Sequence, residues 1–539
     1  VSNLSMSACG TLVPHRGSSL LPTTETYRFY RKLKGRDVSM KTTPPGGDAV
    51  TSAERAEIAA TGTVESLQPT TRRTMGKTSY FFAWLGGCVS IGTFTMGSSL
   101  VGTLNLLQSI VAMTIGCFVI GFCLMLNGAA GYKYGIPFVV HARASFGFHG
   151  TALPGLVRAV PALVWYGFQS WIGAAALSKC SGIIFGFENV WFYFIVLLGL
   201  QTLLSIFGFE GIKWLENVGA VFIILSLIYM FASTVAKYGD QISESLGAGN
   251  EGTWGLKFWN ATMLFLGIYA TMILNVSDYS REHSKGTGRS LLTTIYAFSI
   301  LPVTVFMGLI GLIVSQATGT KDPIDVFSGA VDNKLLLIVT LLFIVFAQVT
   351  TNVLNNVVPP VYVLQDIFKI PFKPAVALVG LLSIATFPWK LVSKESADGL
   401  QTFVQIYSAF LGPVFAIMAV DYYLIRRQRL DVVELYKKDG RFKGVNWAAY
   451  VATLVGVAVA FVFESVAWYS SLIPAGLIYY LLMTTAPSSL RRYVEAEGRE
   501  GRSETEGDDA DRGEPDGTFS AQGKTGAFSG TQRKEGSQA

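Results

Sequence analysis

The sequence predicts an all-α polytopic membrane protein. Three observations carry that prediction. Half of the 539 residues are hydrophobic and only 14% are charged, whereas soluble domains carry about 25% charged residues. The charge is segregated: residues 1–77 and 488–539 hold 36 of the 78 charged side chains, and the 410 residues between them hold the other 42. That central stretch is a succession of apolar runs of about 20 residues, each long enough as a helix to cross ~30 Å of hydrocarbon. A soluble multidomain protein, a disordered chain and a disulfide scaffold are thereby excluded.

The runs fall at residues 78–101, 105–127, 154–178, 190–208, 216–236, 256–277, 291–316, 334–364, 373–389, 400–425, 447–466 and 469–487. We number them spans one to twelve. All are expected to be helices, because an open sheet edge leaves backbone groups unsatisfied in lipid and the alternating ten-residue pattern of a barrel is absent. Residues 78–487 are read as the transmembrane domain. Residues 1–77 and 488–539 are read as disordered cytoplasmic tails, since 498–539 is rich in Gly, Ser, Glu and Asp and lacks periodic apolar residues. No apolar signal-peptide core precedes residue 77. The chain opens on Val1, and Met40 lies nearer the first span, so residues 1–39 are expected to be a start-site artefact of a GTG codon.

With the N-terminus inside, the inner connections carry 15 Lys and Arg residues and the outer ones seven. The excess of inner basic residues places both termini in the cytoplasm. The net charge of +6 therefore records topology, and no basic patch interleaved with aromatics suggests nucleic acid. Cys9, Cys88, Cys117, Cys123 and Cys180 form no paired framework, and the last four, in or beside apolar runs, read as small apolar residues.

Polar groups inside a bilayer are costly and mark function where they cluster. Span three contains WYGFQSW, with Trp165 and Gln169 four residues apart on one helix face. An aromatic plate beside an amide suits a flat heterocycle, which stacks while its N–H and C=O edge is read; an interfacial Trp and a Gln bonding a neighbouring helix is the plainer reading. Span eight contains AQVTTNVLNNVVPP, a polar run that needs interior partners or a water-filled cavity. Asn352 and Asn356 share one face, and the Thr350 and Thr351 hydroxyls beside freed carbonyls suit a small cation; helix–helix glue is the alternative. Spans one and six are glycine-interrupted, at Gly86, Gly87, Gly92, Gly97 and at Gly267. As first members of two five-helix repeats, they point to a midplane site made by broken helices. Arg158 is expected near an end of span three, snorkelling or pairing with a carboxylate. Asp278 and Asp421 read as loop or gate anchors.

The segments NGAAGYKYGIPFVVHARASFGFHG, WYGFQSWIGA, NVSDYSRE, TTNVLNN, FPWKL and LGPVFAIMAVDYYLIRRQRLDVVELY occur in this order between residues 76 and 450. In them the sequence resembles the nucleobase–cation symporter family 1, which includes bacterial hydantoin and allantoin transporters. The resemblance implies twelve helices, ten of them forming a 5+5 inverted repeat of the leucine-transporter type, plus two C-terminal helices. It implies Trp165 and Tyr269 as stacking walls, Gln169 and Asn356 as polar contacts, and Ser90 and Ile268 at pocket positions where the hydantoin transporter has Gln and Gly. It further implies a sodium site of the Gly86, Val89 and Ala347 carbonyls with the Thr350 and Thr351 hydroxyls, and a thin outer gate near Val404.

The expected function is cation-coupled import of a flat cyclic amide (nucleobase, hydantoin or allantoin) across a bacterial inner membrane. No cofactor and no catalytic residue are expected; the coupling cation is Na+ or H+, and the chain is read as a monomer in the lipid bilayer. A proton-coupled carrier of a purine, cytosine or vitamin is the alternative. A channel would need a continuous polar path, and a membrane-embedded enzyme would need a nucleophile–base pair, which no span supplies.

Overall fold

The computed structural model describes residues 50–206, 228–246, 251–319, 333–391 and 397–485, with single positions at 222, 225, 226, 324, 331, 490, 492 and 493. Among the described residues every regular element is helical, and the one extended pairing is an isolated bridge between Met75 and His283. Eleven of the twelve expected runs coincide with described helices. The fifth, 216–236, lies partly outside the described residues, as do residues 1–49 and nearly all of 488–539, with the start site and tail disorder expected there.

Six described helices are long and apolar enough to cross a membrane alone: Leu106–Tyr134, Leu256–Ser280, Arg289–Thr318, Lys334–Phe368, Gly399–Ile425 and Glu464–Thr484. Span one is two pieces, Lys77–Gly87 and Ile91–Ser98, meeting at 50°. Ala152–Phe185 and Val190–Ile206 meet at 118° across a short break. Phe372–Ile384 and Trp447–Val462, of 13 and 16 residues, rise only about 20 and 24 Å. Large apolar side chains such as Phe122, Leu335, Leu454 and Ile473 stand more than half exposed, while Asn127, Gln201 and Asn352 are buried. This inside-out distribution suits lipid as the solvent.

Local chemistry explains the helix ends. Asn105 opens span two with a capping box, its side chain accepting from the Gln108 N–H while Gln108 reaches back. Gly135 closes it in the left-handed conformation, at φ 74°. Span six keeps one non-helical residue, Asn275, at φ −96° and ψ 17°. The carbonyls just before that kink, Ile273 and Leu274, accept from the Asn127 side-chain amide at 2.7 and 2.8 Å, which satisfies groups the helix leaves open.

In span eight, Asn352–Val357 forms a π-helical turn between Lys334–Thr351 and Val358–Phe368. Pro359 and Pro360 follow it and have no N–H to return to the turn above. The carbonyls of Leu354 and Asn355 are thereby released to other helices.

Close backbone contact sets the second half of span one against span seven. A Cβ on Gly97 would lie 2.0 Å from the Gly308 carbonyl oxygen, and one on Gly311 would lie 2.2 Å from that of Phe94. Neither obstacle is a side chain that can rotate away. Gly97→Ala is therefore expected to cost at least about 3 kcal/mol, the upper range for overpacking. A thermal melt in detergent checks this; an unchanged midpoint would show that the two helices are not packed so tightly.

The expected N-terminal tail needs correction over its described part. Residues 50–77 are not featureless: Ser52–Ala60 is a helix with a Thr51–Glu54 capping box, and Ile58 and Leu67 are buried. Arg281 donates to the Ser66 carbonyl at 2.9 Å, and Tyr436 donates to that of Leu67 at 2.7 Å. Two buried residues held from the helix connections are a tertiary contact that local composition does not announce. On the same face, buried Arg143 pairs with Asp366 at 2.5 Å and donates to the Leu435 carbonyl at 2.8 Å. Asp421, expected as an anchor, accepts from Arg426 at 2.6 Å and from Tyr479 at 2.8 Å.

Candidate functional site

The break in span one organises the site. Lys77–Gly87 ends, Cys88 to Ser90 leave the helix, and Ser90 caps the next piece by accepting the Gly92 N–H at 3.2 Å. Backbone oxygens around this break lie where a continuous helix would have hidden them.

Span eight meets the break with hydroxyls. Thr351 Oγ1 donates to the Val89 carbonyl at 2.9 Å and lies 3.4 Å from that of Gly86. Thr350 Oγ1 donates to the Ala347 carbonyl at 3.0 Å. The structure thus brings Thr351 to Gly86 and Val89, while the bond of Thr350 to Ala347 lies within span eight. Their oxygens are all neutral, and both threonines are buried. Neutral carbonyl and hydroxyl oxygens converging at broken helices suit a small monovalent cation.

One residue beyond Val89 the same break meets span three. Gln169 donates through Nε2 to Ser90 Oγ at 3.3 Å. Its Oε1 is buried and has no hydrogen-bond partner, an unusual state for a buried carbonyl. Trp165 is one turn before it on the same face, its ring lying over the break. A Cβ on Gly92 would stand 2.6 Å from the indole Cη2, so this glycine makes room for the plate. Gln169 and Trp165 are 2% and 3% exposed.

Asn356 enters from span eight, donating through Nδ2 to Asn352 Oδ1 at 2.8 Å. That bond uses one of the two amide N–H groups and leaves the other, with Oδ1, to present. Asn352 itself is glue. Its Nδ2 donates to Gln201 Oε1 at 2.8 Å and lies 3.2 Å from Ser170 Oγ, tying span eight to spans three and four. The shared face of Asn352 and Asn356 therefore divides into a packing residue and a candidate contact.

Span six supplies Tyr269 and Ile268, both buried. The Tyr269 hydroxyl is committed elsewhere: it lies 3.1 Å from the Cys88 carbonyl, 3.2 Å from Thr93 Oγ1 and 2.9 Å from Thr304 Oγ1. Tyr269 can offer its ring but not its hydroxyl. Among the described residues Trp165 makes ring contacts with Phe168 and Phe403, at 5.5 and 6.3 Å between centroids, and none with Tyr269.

Span ten covers the site. Val404 is fully buried, and a Cβ on Gly267 of span six would lie 2.5 Å from its Cγ1. Tyr407, one turn on, donates to the Gly267 carbonyl at 2.9 Å. Phe403 stacks edge-on against Tyr407 at 4.8 Å and reaches Trp165. Phe403 and Tyr407 were absent from the sequence expectations, although their i, i+4 spacing around Val404 was a usable signal.

Arg158 corrects its expectation. It does not snorkel, and among the described residues it pairs directly with no carboxylate. Its side chain is fully buried, and it donates to Asn275 Oδ1 and to the Asn355 carbonyl, both at 2.7 Å. The helix connection Phe138–Phe146 is itself buried.

Residues 68–481 match the model of a family described as permeases for cytosine/purines, uracil, thiamine and allantoin. The chain is 27% identical to a hydantoin permease of Microbacterium maritypicum, covering 79% of this chain and 89% of that one. It is 28% identical to an allantoin permease of Bacillus subtilis, covering 77% and 91%. In fold it is similar to Mhp1, a nucleobase-cation-symport-1 family transporter solved in a closed conformation with bromovinylhydantoin bound. That likeness has a TM-score of 0.72 at 24% identity and covers 80% of this chain and 98% of that one.

Proposed function

We propose that this chain, which belongs to the family of permeases for cytosine/purines, uracil, thiamine and allantoin, is a sodium-coupled symporter that imports a flat cyclic amide across a bacterial inner membrane. The family comprises transporters and the chain is not an enzyme. The single observation that carries the coupled reading is the adjacency of two loci on one break. Val89 offers its carbonyl beside Thr351, and Ser90, the next residue, holds Gln169. A cation bound by the first fixes the backbone that presents the second. Cation and substrate would then each favour the state the other prefers, which is what coupling requires.

The pocket chemistry favours a heterocycle with N–H donors. Gln169 Oε1 is unpartnered, and Asn356 keeps its Oδ1 and one N–H beyond the bond to Asn352, so acceptor oxygen is available to a planar ligand stacked on Trp165. Rotation of the Gln169 amide exchanges donor and acceptor, which admits hydantoin, allantoin or uracil edges. Tyr269 and Ile268 form the opposite wall, and Val404 with Phe403 the thin outer gate. Twelve helices, ten in a 5+5 inverted repeat, with the Arg143–Asp366 face cytoplasmic, complete the reading.

The proposed cation cage contains no carboxylate and no group that titrates near neutral pH, so it suits sodium and gives a proton no acceptor. A proton-coupled reading draws on one observation, the buried Asp278 carboxyl on span six, which accepts from the Phe138 N–H at 2.8 Å.

A thermal-shift panel of allantoin, hydantoin, uracil, cytosine and purines, with and without sodium, tests the proposal. A specific ligand at 100 times its Kd stabilises the folded state by about 2.7 kcal/mol. At least one flat cyclic amide is expected to raise the midpoint, more strongly in sodium than in choline. No shift with any compound in either salt overturns the pocket.

A further inference from the structure

We propose that Arg158 is a positioning residue for transport, the latch that holds the inner gate closed and ties that gate to the cation locus. The proposal rests on the transporter reading above. Arg158 lies seven residues before Trp165, about 10 Å nearer the cytoplasmic face along the helix, and so stands between the pocket and the exit.

Both of its acceptors are products of broken helix geometry. Asn275 sits at the kink of span six and takes Nε at 2.7 Å. The Asn355 carbonyl, released by the prolines that follow, takes Nη2 at 2.7 Å. Tyr279 of span six takes the other released carbonyl, that of Leu354, at 3.1 Å. Straightening or sliding span six removes these partners together. The network continues in two directions. Asn275 donates to Asp278, and Asp278 accepts from the Phe138 N–H of the connecting helix. Asn355 donates through Nδ2 to the Gly87 carbonyl at 2.5 Å. Gly87 neighbours Gly86, and Asn355 is one turn beyond Thr351, so span one joins at the cation locus.

One guanidinium network thus binds spans one, three, six and eight, the four that build the pocket, on its cytoplasmic side. A fully buried arginine whose direct acceptors are neutral carbonyl groups is an expensive way to hold four helices statically. It is apt for a contact that forms in one state and is broken by hydration in the other. Occupancy of the cation locus fixes Gly86 and Thr351, and through Asn355 it sets the arginine's acceptor.

Native cysteines give the test. Cys88, fully buried at the break, lies behind the latch; Cys123, in span two, is buried away from it. The full-length protein in oriented vesicles is treated with a charged, impermeant maleimide from either side, and labelling at each cysteine is read by mass spectrometry. Arg158→Gln is expected to speed Cys88 labelling about tenfold from the cytoplasmic side only, a shift of about 1.4 kcal/mol in the gate equilibrium. Cys123 stays protected, and Arg158→Lys, which keeps the charge but not the forked reach, falls between. Wild-type labelling of Cys88 in folded Arg158→Gln overturns the latch. If both cysteines label faster, the variant has unfolded, and Asn275→Ala decides: it must give the one-sided rise, and its failure to do so overturns the proposal. The assay requires no transported compound, so a wild type that takes up no heterocycle would sink the transporter reading and leave the labelling difference standing.

Discussion

Asn356→Ala and Trp165→Leu are each expected to lower heterocycle affinity by about five- to 150-fold while leaving a folded protein. Leucine fills much of the space over Gly92 but presents no π face. Base–aromatic stacking is worth about 1–3 kcal/mol per contact, and each 1.4 kcal/mol is tenfold in Kd. Asn356 contributes a hydrogen bond that, unmade, leaves a buried ligand N–H unsatisfied at a cost of about 1–3 kcal/mol. Its loss also frees Asn352 Oδ1, but Asn352 keeps Gln201 and Ser170 as partners, so the helix contact survives. Trp165→Phe is the companion control and should retain most of the binding. Isothermal titration with the compound giving the largest thermal shift measures all three. Unchanged affinity in Trp165→Leu and Asn356→Ala would place the pocket elsewhere.

The second large effect is expected at Thr351. Its hydroxyl alone reaches from span eight to both carbonyls of the break. Thr351→Ala removes the oxygen that joins the two halves of the cation cage. The sodium concentration for half-maximal uptake should rise by at least about tenfold, the equivalent of about 1.4 kcal/mol. Thr351→Ser keeps the oxygen and should stay near wild type. If uptake never depends on sodium in any of the three, the hydroxyls are structural and a proton drives transport.

Much of this architecture was legible in the sequence because the membrane simplifies the problem. Lipid forces helices, and helices of spanning length show as apolar runs. The glycines of span one announced a break, and the Thr351 hydroxyl of span eight meets it. Arg158 departs from its expectation for a tertiary reason: its acceptors, Asn275 Oδ1 and the Asn355 carbonyl, lie more than 100 residues away in the chain, on spans six and eight. Asn352 and Asn356 share a helix face, yet only the structure shows the first turned into the Gln201 and Ser170 contacts. The Tyr269 hydroxyl was equally ambiguous, because nothing local indicates that Cys88, Thr93 and Thr304 claim it. Residues 50–77 looked like tail because their composition is polar, and their anchoring partners Arg281 and Tyr436 are more than 200 residues away in the chain.

The central claim is that one break in span one serves cation and substrate together. Radiolabelled uptake into proteoliposomes under an imposed inward sodium gradient tests it most directly. One charge moving through 100 mV supplies about 2.3 kcal/mol, enough for about fiftyfold accumulation. Wild-type protein is predicted to concentrate allantoin, hydantoin or uracil, recovered chemically unchanged, above the external level in sodium but not in choline. Thr351→Ala is predicted to reach the same accumulation only at about tenfold higher sodium. Equal accumulation by wild type in sodium and choline would contradict the account.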